Sequence, residues 1–116
     1  MKLIIPGRCV PYVRTRRGQK YTDPKASAYF TYKEDVAWRA RRVIADLFEG
    51  DVYLFVAVYL KPGDERYGDS DNYFKSIADA LQGVAYANDK CVSDGGFMRR
   101  FELPERVEIE IKAVGA

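Results

Sequence analysis

The strongest constraint on the fold is an unbroken run of apolar residues from Val52 to Leu60, in which β-branched and aromatic side chains predominate. A run of this kind is typical of a strand that is buried on both faces, and we predict that it lies at the centre of a sheet. It is too short to cross a bilayer, for which a helix needs about 20 apolar residues. Residues Met1 to Pro6 lack the apolar core of a secretion signal. We therefore predict a cytoplasmic protein.

Three further strands are predicted around this run. Lys2 to Ile5 forms a first strand that Pro6 ends. The alternation of apolar and charged residues from Val107 to Ala113 predicts a strand with one wet face. Cys91 to Phe101 is a weaker strand, in which Gly95-Gly96 indicates a bulge or a turn.

Two helices are predicted from start signals and apolar spacing. Asp23 followed by Pro24 is typical of an N-cap with proline at the first helical position, and Gly50 supplies a stop, so a long helix is predicted between them. Its apolar stripe comprises Tyr29, Tyr32, Val36, Ala40, Val43, Ile44 and Leu47. A second helix is predicted from Asn72 onward, and its buried face comprises Phe74, Ile77, Ala78 and Leu81.

These elements together predict an α+β fold, a mixed β-sheet with helices packed mainly on one face. The chain has 116 residues and shows no internal repeat or linker-like composition break. We therefore expect one domain over residues 1–116.

Charge is distributed unevenly along the chain. The net charge is only +2, which by itself does not indicate a DNA-binding protein. Basic residues nevertheless crowd one stretch in which Asp23 is the only acid, and we name them the basic cluster: Arg14, Arg16, Arg17, Lys20 and Lys25. The cluster is either a solvated loop or a surface that contacts phosphates, and its shortage of acids favours the second interpretation.

The chain contains no histidine. This excludes a Ser-His-Asp triad, a Cys-His pair and an HExxH zinc site. Cys9 and Cys91 lack the CxxC spacing of a metal or redox motif and are expected to be free thiols. Chemistry must therefore rest on carboxylates, lysine or a metal ion, and hard oxygen ligands favour magnesium or manganese.

Acidic residues concentrate around the start of the second helix. Asp69 and Asp71 are two residues apart on a segment predicted to be extended, so their carboxylates should point to the same side. Lys75 follows one helical turn after Asp71, and Asp89 lies beyond the helix. A cation bound by the carboxylates beside a lysine suits the hydrolysis of a phosphodiester. The alternative is structural: a turn with an N-cap, and a lysine that pairs with Asp71 or Asp79.

At these residues the sequence resembles the RusA-type Holliday junction resolvases. The family signature is an Asp-x-Asp-Asn-x-x-Lys run, an Asp-Ala-Leu helix and a late acidic pair. The chain matches it with Asp69 to Lys75, with Asp79 to Leu81 and with Asn88-Asp89. It departs only at Asn88, where the family commonly has aspartate, so Asp89 is the single acid at that position.

The resemblance implies a homodimeric, magnesium-dependent endonuclease that binds four-way DNA junctions and makes paired, symmetric nicks, with manganese as a possible substitute. It implies that Asp69, Asp71 and Asp89 bind the metal, and that these three and Lys75 are catalytic. Lys75 and the basic cluster would contact the DNA. The sequence leaves open whether one or two ions bind.

Other functions also remain open at this point. The chain could be a less selective nuclease for flaps and other branched DNA, or a protein that binds junctions without cutting them because of Asn88. The dimer interface could use the aromatic surface of the long helix or the last strand.

Overall fold

A computed structural model describes residues 1–14, 23–65 and 67–115. Within these ranges the strands are Lys2–Pro6 (β1), Val52–Leu60 (β2), Val92–Phe101 (β3) and Arg106–Ala113 (β4), and the helices are Pro24–Arg41 (α1) and Ser70–Ala80 (α2). A short 3-10 turn, Asp89–Cys91, precedes β3. In these ranges no helix is long and apolar enough to cross a bilayer.

The four strands form one sheet in the order β1-β4-β2-β3. β2 pairs antiparallel with β4 and parallel with β3, while β1 pairs antiparallel with β4. The apolar run therefore lies between two neighbours, which confirms its predicted central position. The mixed sheet with two helices also confirms the predicted α+β fold class.

The two faces of the sheet differ in burial. Every second residue of β2 from Val52 to Leu60 is fully buried, and these side chains form one core with side chains of α1 and α2. On the opposite face Tyr53, Phe55 and Tyr59 are only half-buried. The prediction that β2 is buried on both faces is wrong for these three residues, because the helices that contribute to the core pack on the other face.

Helix α1 starts as predicted but ends early. Asp23 is its N-cap, and the carboxylate of this residue accepts a hydrogen bond from the Lys25 N–H at 2.9 Å. The helix ends at Arg41, well before Gly50. The chain then turns so that the Phe48 N–H donates to the Ala85 carbonyl at 2.7 Å. This turn buries Ile44 but leaves Val43 and Leu47 about half exposed, so the last part of the predicted stripe is wrong.

Helix α2 begins two residues earlier than predicted. Asp69 is its N-cap with an extended backbone, and Asp71 already lies in the first helical turn. Carboxylates are stabilised there by the positive end of the helix dipole, which explains why the helix includes this acidic residue. The buried face contains Ile77, Ala78 and Leu81 as predicted, and Tyr73 and Ser76 are buried with them.

Candidate active site

The first turn of α2 and the first half of β3 enclose an open cleft of about 480 Å³. The helix contributes Ser70, Asp71 and Phe74, and the strand contributes Val92, Asp94, Gly95, Gly96 and Phe97. The polar start of α2 thus faces a part of β3 in which Gly95 and Gly96 carry no side chains. A cleft of this kind has room for a phosphate, or for the backbone of a bound polymer, to reach the carboxylate of Asp71.

An irregularity in the pairing of β2 with β3 shapes the floor of the cleft. Val52 pairs with Val92 but Tyr53 pairs with Asp94, so Ser93 is the extra residue of a β-bulge. Gly95 follows with a φ of 140°, and a Cβ atom at this position would lie 1.8 Å from the Leu54 carbonyl oxygen. The predicted bulge is therefore present, and it needs glycine.

The carboxylates of Asp69 and Asp71 are exposed at the start of α2. The Asp69 side chain makes no capping hydrogen bond to the helix that it precedes. Within residues 1–14, 23–65 and 67–115, neither carboxylate forms an ion pair or a hydrogen bond. Both acidic groups are consequently available to an external ligand.

Lys75 projects from α2 one turn beyond Asp71. Its ammonium nitrogen lies 4.2 Å from the centroid of the Tyr12 ring, in a cation–π contact. In the described part of the chain it forms no ion pair with Asp71 or Asp79, although the helical spacing would permit either. The structural alternative for this lysine is therefore not realised in the described part of the chain.

Tyr12, which lies just before the basic cluster, is held in place by contacts with α1 and α2. The Tyr12 N–H donates to the Asn72 carbonyl at 2.8 Å, and the Ser76 hydroxyl donates to the Val10 carbonyl at 2.7 Å. The Tyr12 ring packs edge-to-face on Tyr29, with ring centroids 5.4 Å apart. The chain around Tyr12 thus lies along α2, and the face of the Tyr12 ring contacts Lys75.

Asp89 opens the 3-10 turn that precedes β3. Its N–H donates to the Gln82 side-chain oxygen at 3.1 Å, and the Asn88 side chain accepts from the Lys90 N–H at 3.0 Å. Asn88 therefore caps this turn, as an aspartate could also do. The Asp89 side chain is exposed and has no hydrogen-bond partner among the residues that the structure describes.

Asp79 has a structural role at the contact between α1 and α2. Its carboxylate accepts from the Tyr29 hydroxyl at 3.0 Å and from the Gln82 amide nitrogen at 3.4 Å. Burial and the neighbouring Asp79 raise the pKa of Tyr29. The phenol therefore stays a neutral donor. Since Gln82 also binds the Asp89 backbone, this network ties the 3-10 turn to α2.

Of the predicted metal ligands, only Asp71 lines the cleft. In the described ranges, no three acidic or cysteine side chains form a group that is ready to hold a metal ion. Of the basic cluster, Arg14 and Lys25 are exposed, and Lys25 lies in the first turn of α1. The other members, Arg16, Arg17 and Lys20, lie outside the described residues.

Several residues of the site were not found from the sequence. Asp94 lines the same cleft as Asp71, and its carboxylate also accepts from the Gly95 N–H at 2.8 Å. The adjoining glycine pair was the available signal, since it indicated the bulge that places Asp94 there. Tyr12 and Gln82 carried no local signal, because their roles depend on contacts with residues distant in sequence.

Comparison with known proteins agrees with the motif. The family model described as endodeoxyribonuclease RusA matches residues 6–112. A search of curated proteins gives no significant match to an individual protein. Because the family match spans the basic cluster, both helices and the cleft, the chain belongs to the RusA family of endodeoxyribonucleases, which resolve Holliday junctions.

Proposed function

We propose that this chain is a magnesium-dependent endonuclease that resolves four-way DNA junctions by paired, symmetric nicks, as a homodimer of one RusA-like domain over residues 1–116. RusA-type nucleases depend on divalent metals, and the family acts on branched DNA. The proposal adds to this the metal, the paired nicks, the dimer and the roles of individual residues. The observation that carries it is the pair of exposed carboxylates at the start of α2, which have no partner among the described residues and stand beside an open cleft.

The donor set suits magnesium. Asp69, Asp71 and Asp89 offer carboxylate oxygens, which are the hard ligands that this ion prefers. Magnesium keeps several waters and is usually bound by one or two carboxylates together with substrate phosphates. A preassembled group of three acids is therefore not required before DNA binds. When bound, the ion would supply an activated water and would relieve negative charge on the phosphate.

Asp71 has the strongest structural support among the three proposed ligands. It lines the cleft, and Asp69, the N-cap of α2, lies two residues before it. Asp89 lies three residues before Val92, which lines the same cleft. Asp71 is thus at the cleft itself, and Asp69 and Asp89 are one and three residues from cleft-lining residues in the sequence.

Lys75 is proposed to contact the scissile phosphate. It is exposed, it stands one turn from Asp71, and in the described part of the chain no acid neutralises it. A positive charge beside a phosphate stabilises the negative charge that develops as the phosphodiester breaks. We propose a charge-stabilising role because an ordinary lysine is protonated near neutral pH and is a poor base.

The basic cluster is proposed to bind DNA phosphates around the cleft. Arg14 follows the segment that lies on α2, and Lys25 stands at the start of α1. Contacts of this kind fix the position of the nucleic acid without reading its sequence. Recognition of the junction would then depend first on the shape of the branch.

A homodimer would match the two equivalent strands of a junction with two equivalent sites. Of the two surfaces considered for its interface, β4 has no free edge, because it lies between β1 and β2. Pairing of two sheets along the edge of the last strand is thus excluded. The outer surface of α1 remains a candidate, since Trp38 is 55% exposed there.

The proposal is tested with synthetic DNA of matched length and salt. We expect the protein to cut a four-way junction when magnesium is present and to leave it intact without the ion. A flap and a linear duplex should be cut more slowly than the junction. Equal cleavage of all three would indicate the less selective nuclease, and binding without cleavage would indicate a junction-binding protein.

A further inference from the structure

Two aromatic rings and an arginine form an exposed cluster close to the start of α2. The rings of Tyr67 and Phe101 meet edge-to-face, with centroids 5.7 Å apart. The guanidinium carbon of Arg99 lies 4.2 Å from the Tyr67 centroid and 5.8 Å from the Phe101 centroid. Tyr67 is 45% and Phe101 is 43% exposed. We call these three residues the aromatic–arginine cluster.

The cluster extends the cleft along β3. Phe97 lines the cleft, and Arg99 and Phe101 follow it at every second residue, so all three side chains lie on the same face of the strand. β3 is an edge strand, and no further strand covers its outer side in the described sheet. Tyr67 is two residues before Asp69, which places their Cα atoms at most about 7 Å apart. The backbone of Tyr67 is therefore close to that of Asp69, the first of the proposed metal ligands.

The charge of Arg99 is not neutralised. In the described ranges no acidic side chain pairs with it. Arg106 makes a useful comparison, because it also lies over an aromatic ring. Its guanidinium carbon is 3.7 Å from the centroid of the Tyr59 ring. Arg106 forms ion pairs with Glu102 and Glu108 and so has no spare charge. Among the described residues, therefore, nothing pairs with the Arg99 guanidinium, which lies beside two exposed rings.

We propose that the aromatic–arginine cluster binds an unstacked nucleobase next to the phosphate that is cut. This inference rests on the proposed junction-cutting function. Exposed aromatic rings bind bases by stacking, with little sequence preference, and arginine adds a cation–π contribution. The bases of a linear duplex are already stacked on each other, whereas a branch point can present a base whose face is free. The cluster would thereby favour branched over linear DNA.

Replacement of both rings tests the proposal. The double variant Tyr67→Ala with Phe101→Ala should bind a synthetic four-way junction about 5- to 150-fold more weakly than the unchanged protein, which is the usual effect of losing a stacked base. Its affinity for a linear duplex of equal length should stay the same. Both affinities are measured by fluorescence anisotropy in magnesium-free buffer. The variant Tyr67→Phe keeps the ring and should bind like the unchanged protein.

A fluorescent base gives a second readout that a purely structural role would not change. With 2-aminopurine at the branch point, binding of the unchanged protein should alter the emission, and binding of the double variant at saturation should not. Tyr53→Ala is the matched control, because Tyr53 lies on the face of the sheet opposite to the core. The ammonium nitrogen of Lys112 lies 4.7 Å from the centroid of its ring, so Tyr53 also has a cation–π partner. This variant should leave both DNA affinities unchanged.

The outcomes separate the two proposals. Unchanged junction affinity in the double variant, or an equal loss for junction and duplex in a variant with native far-UV circular dichroism, would overturn the stacking role. If the unchanged protein cuts the junction once magnesium is added, the proposed function survives that result. An unchanged protein that neither binds nor cuts the junction would overturn both.

Discussion

Replacement of Gly95 by alanine should damage both the stability of the fold and the cleft. Gly95 has a φ of 140°, and an added Cβ atom would lie 1.8 Å from the Leu54 carbonyl oxygen, which is backbone and cannot rotate away. Gly63 provides the matched control. It also has a positive φ, of 82°, but a Cβ atom there would have nothing within 4 Å. Both substitutions place a side chain at positive φ, but only the one at Gly95 brings it against backbone atoms.

The size of the difference can be worked out from these contacts. A side chain at positive φ costs about 1 to 2 kcal/mol, which is the whole effect expected for Gly63→Ala. At Gly95 the strands must also separate near Leu54, and each lost or unsatisfied backbone hydrogen bond costs about 1 to 3 kcal/mol. We therefore expect Gly95→Ala to lose about 3 kcal/mol more than Gly63→Ala. In a chain of this size this difference lowers the Tm by about 12 °C.

Urea unfolding followed by far-UV circular dichroism measures both variants. Gly95→Ala should also nick junctions poorly at temperatures at which it is still folded, because the β3 floor of the cleft moves. A Gly95→Ala variant that is no less stable than Gly63→Ala would refute the reasoning. It would mean that β3 does not approach Leu54 as closely as this bulge requires.

Three further predictions concern buried groups. Tyr32→Phe should leave stability unchanged or raise it by about 1 kcal/mol, because the Tyr32 hydroxyl is buried, makes no hydrogen bond of normal geometry within the described residues and has only a weak interaction with the nearby Cys9 thiol. Tyr86→Phe should instead cost about 1 kcal/mol, since this hydroxyl donates to the Ala78 carbonyl at 2.6 Å; the reverse order of stabilities in urea would contradict both. Burial, opposed by the nearby Tyr32 and Arg8, raises the pKa of the Cys9 thiol from 9.0 to about 12. As the pH rises from 9 to 10, the Cys9 thiol loses its proton in the unfolded chain and keeps it in the folded one. The free energy of unfolding should therefore fall by about 1 kcal/mol over this range. In Cys9→Ala the fall, measured by urea unfolding at both pH values, should be smaller.

The parts of the fold that the sequence predicted correctly are those with local signals. The β-branched run identified β2, and the Asp23-Pro24 pair identified the start of α1. The alternation from Val107 to Ala113 identified β4, in which Val107, Ile109 and Ile111 are buried. Each signal lies within the element that it defines, so no knowledge of distant contacts was needed.

Most of the errors arise because tertiary contacts decide where elements end and which residues meet. Helix α1 stops at Arg41 because the following chain bonds to residue 85, and no residue near Arg41 signals this stop. The sequence places the start of α2 two residues too late, because Asp71 is helical whereas only Asp69 is extended. The contact of Tyr12 with Lys75 and the position of Asp94 in the cleft likewise arise from segments distant in sequence.

Junction cleavage by Asp71→Asn tests the central claim most directly. The variant keeps the shape of the side chain and removes its charge, and Asp46→Asn is a matched control because Asp46 is exposed and, among the described residues, has no partner. In magnesium, the unchanged protein and Asp46→Asn should nick a four-way junction, while Asp71→Asn should bind the junction with similar affinity and leave it uncut. Cleavage by Asp71→Asn at the rate of the unchanged protein would contradict the assignment of this cleft as the catalytic site.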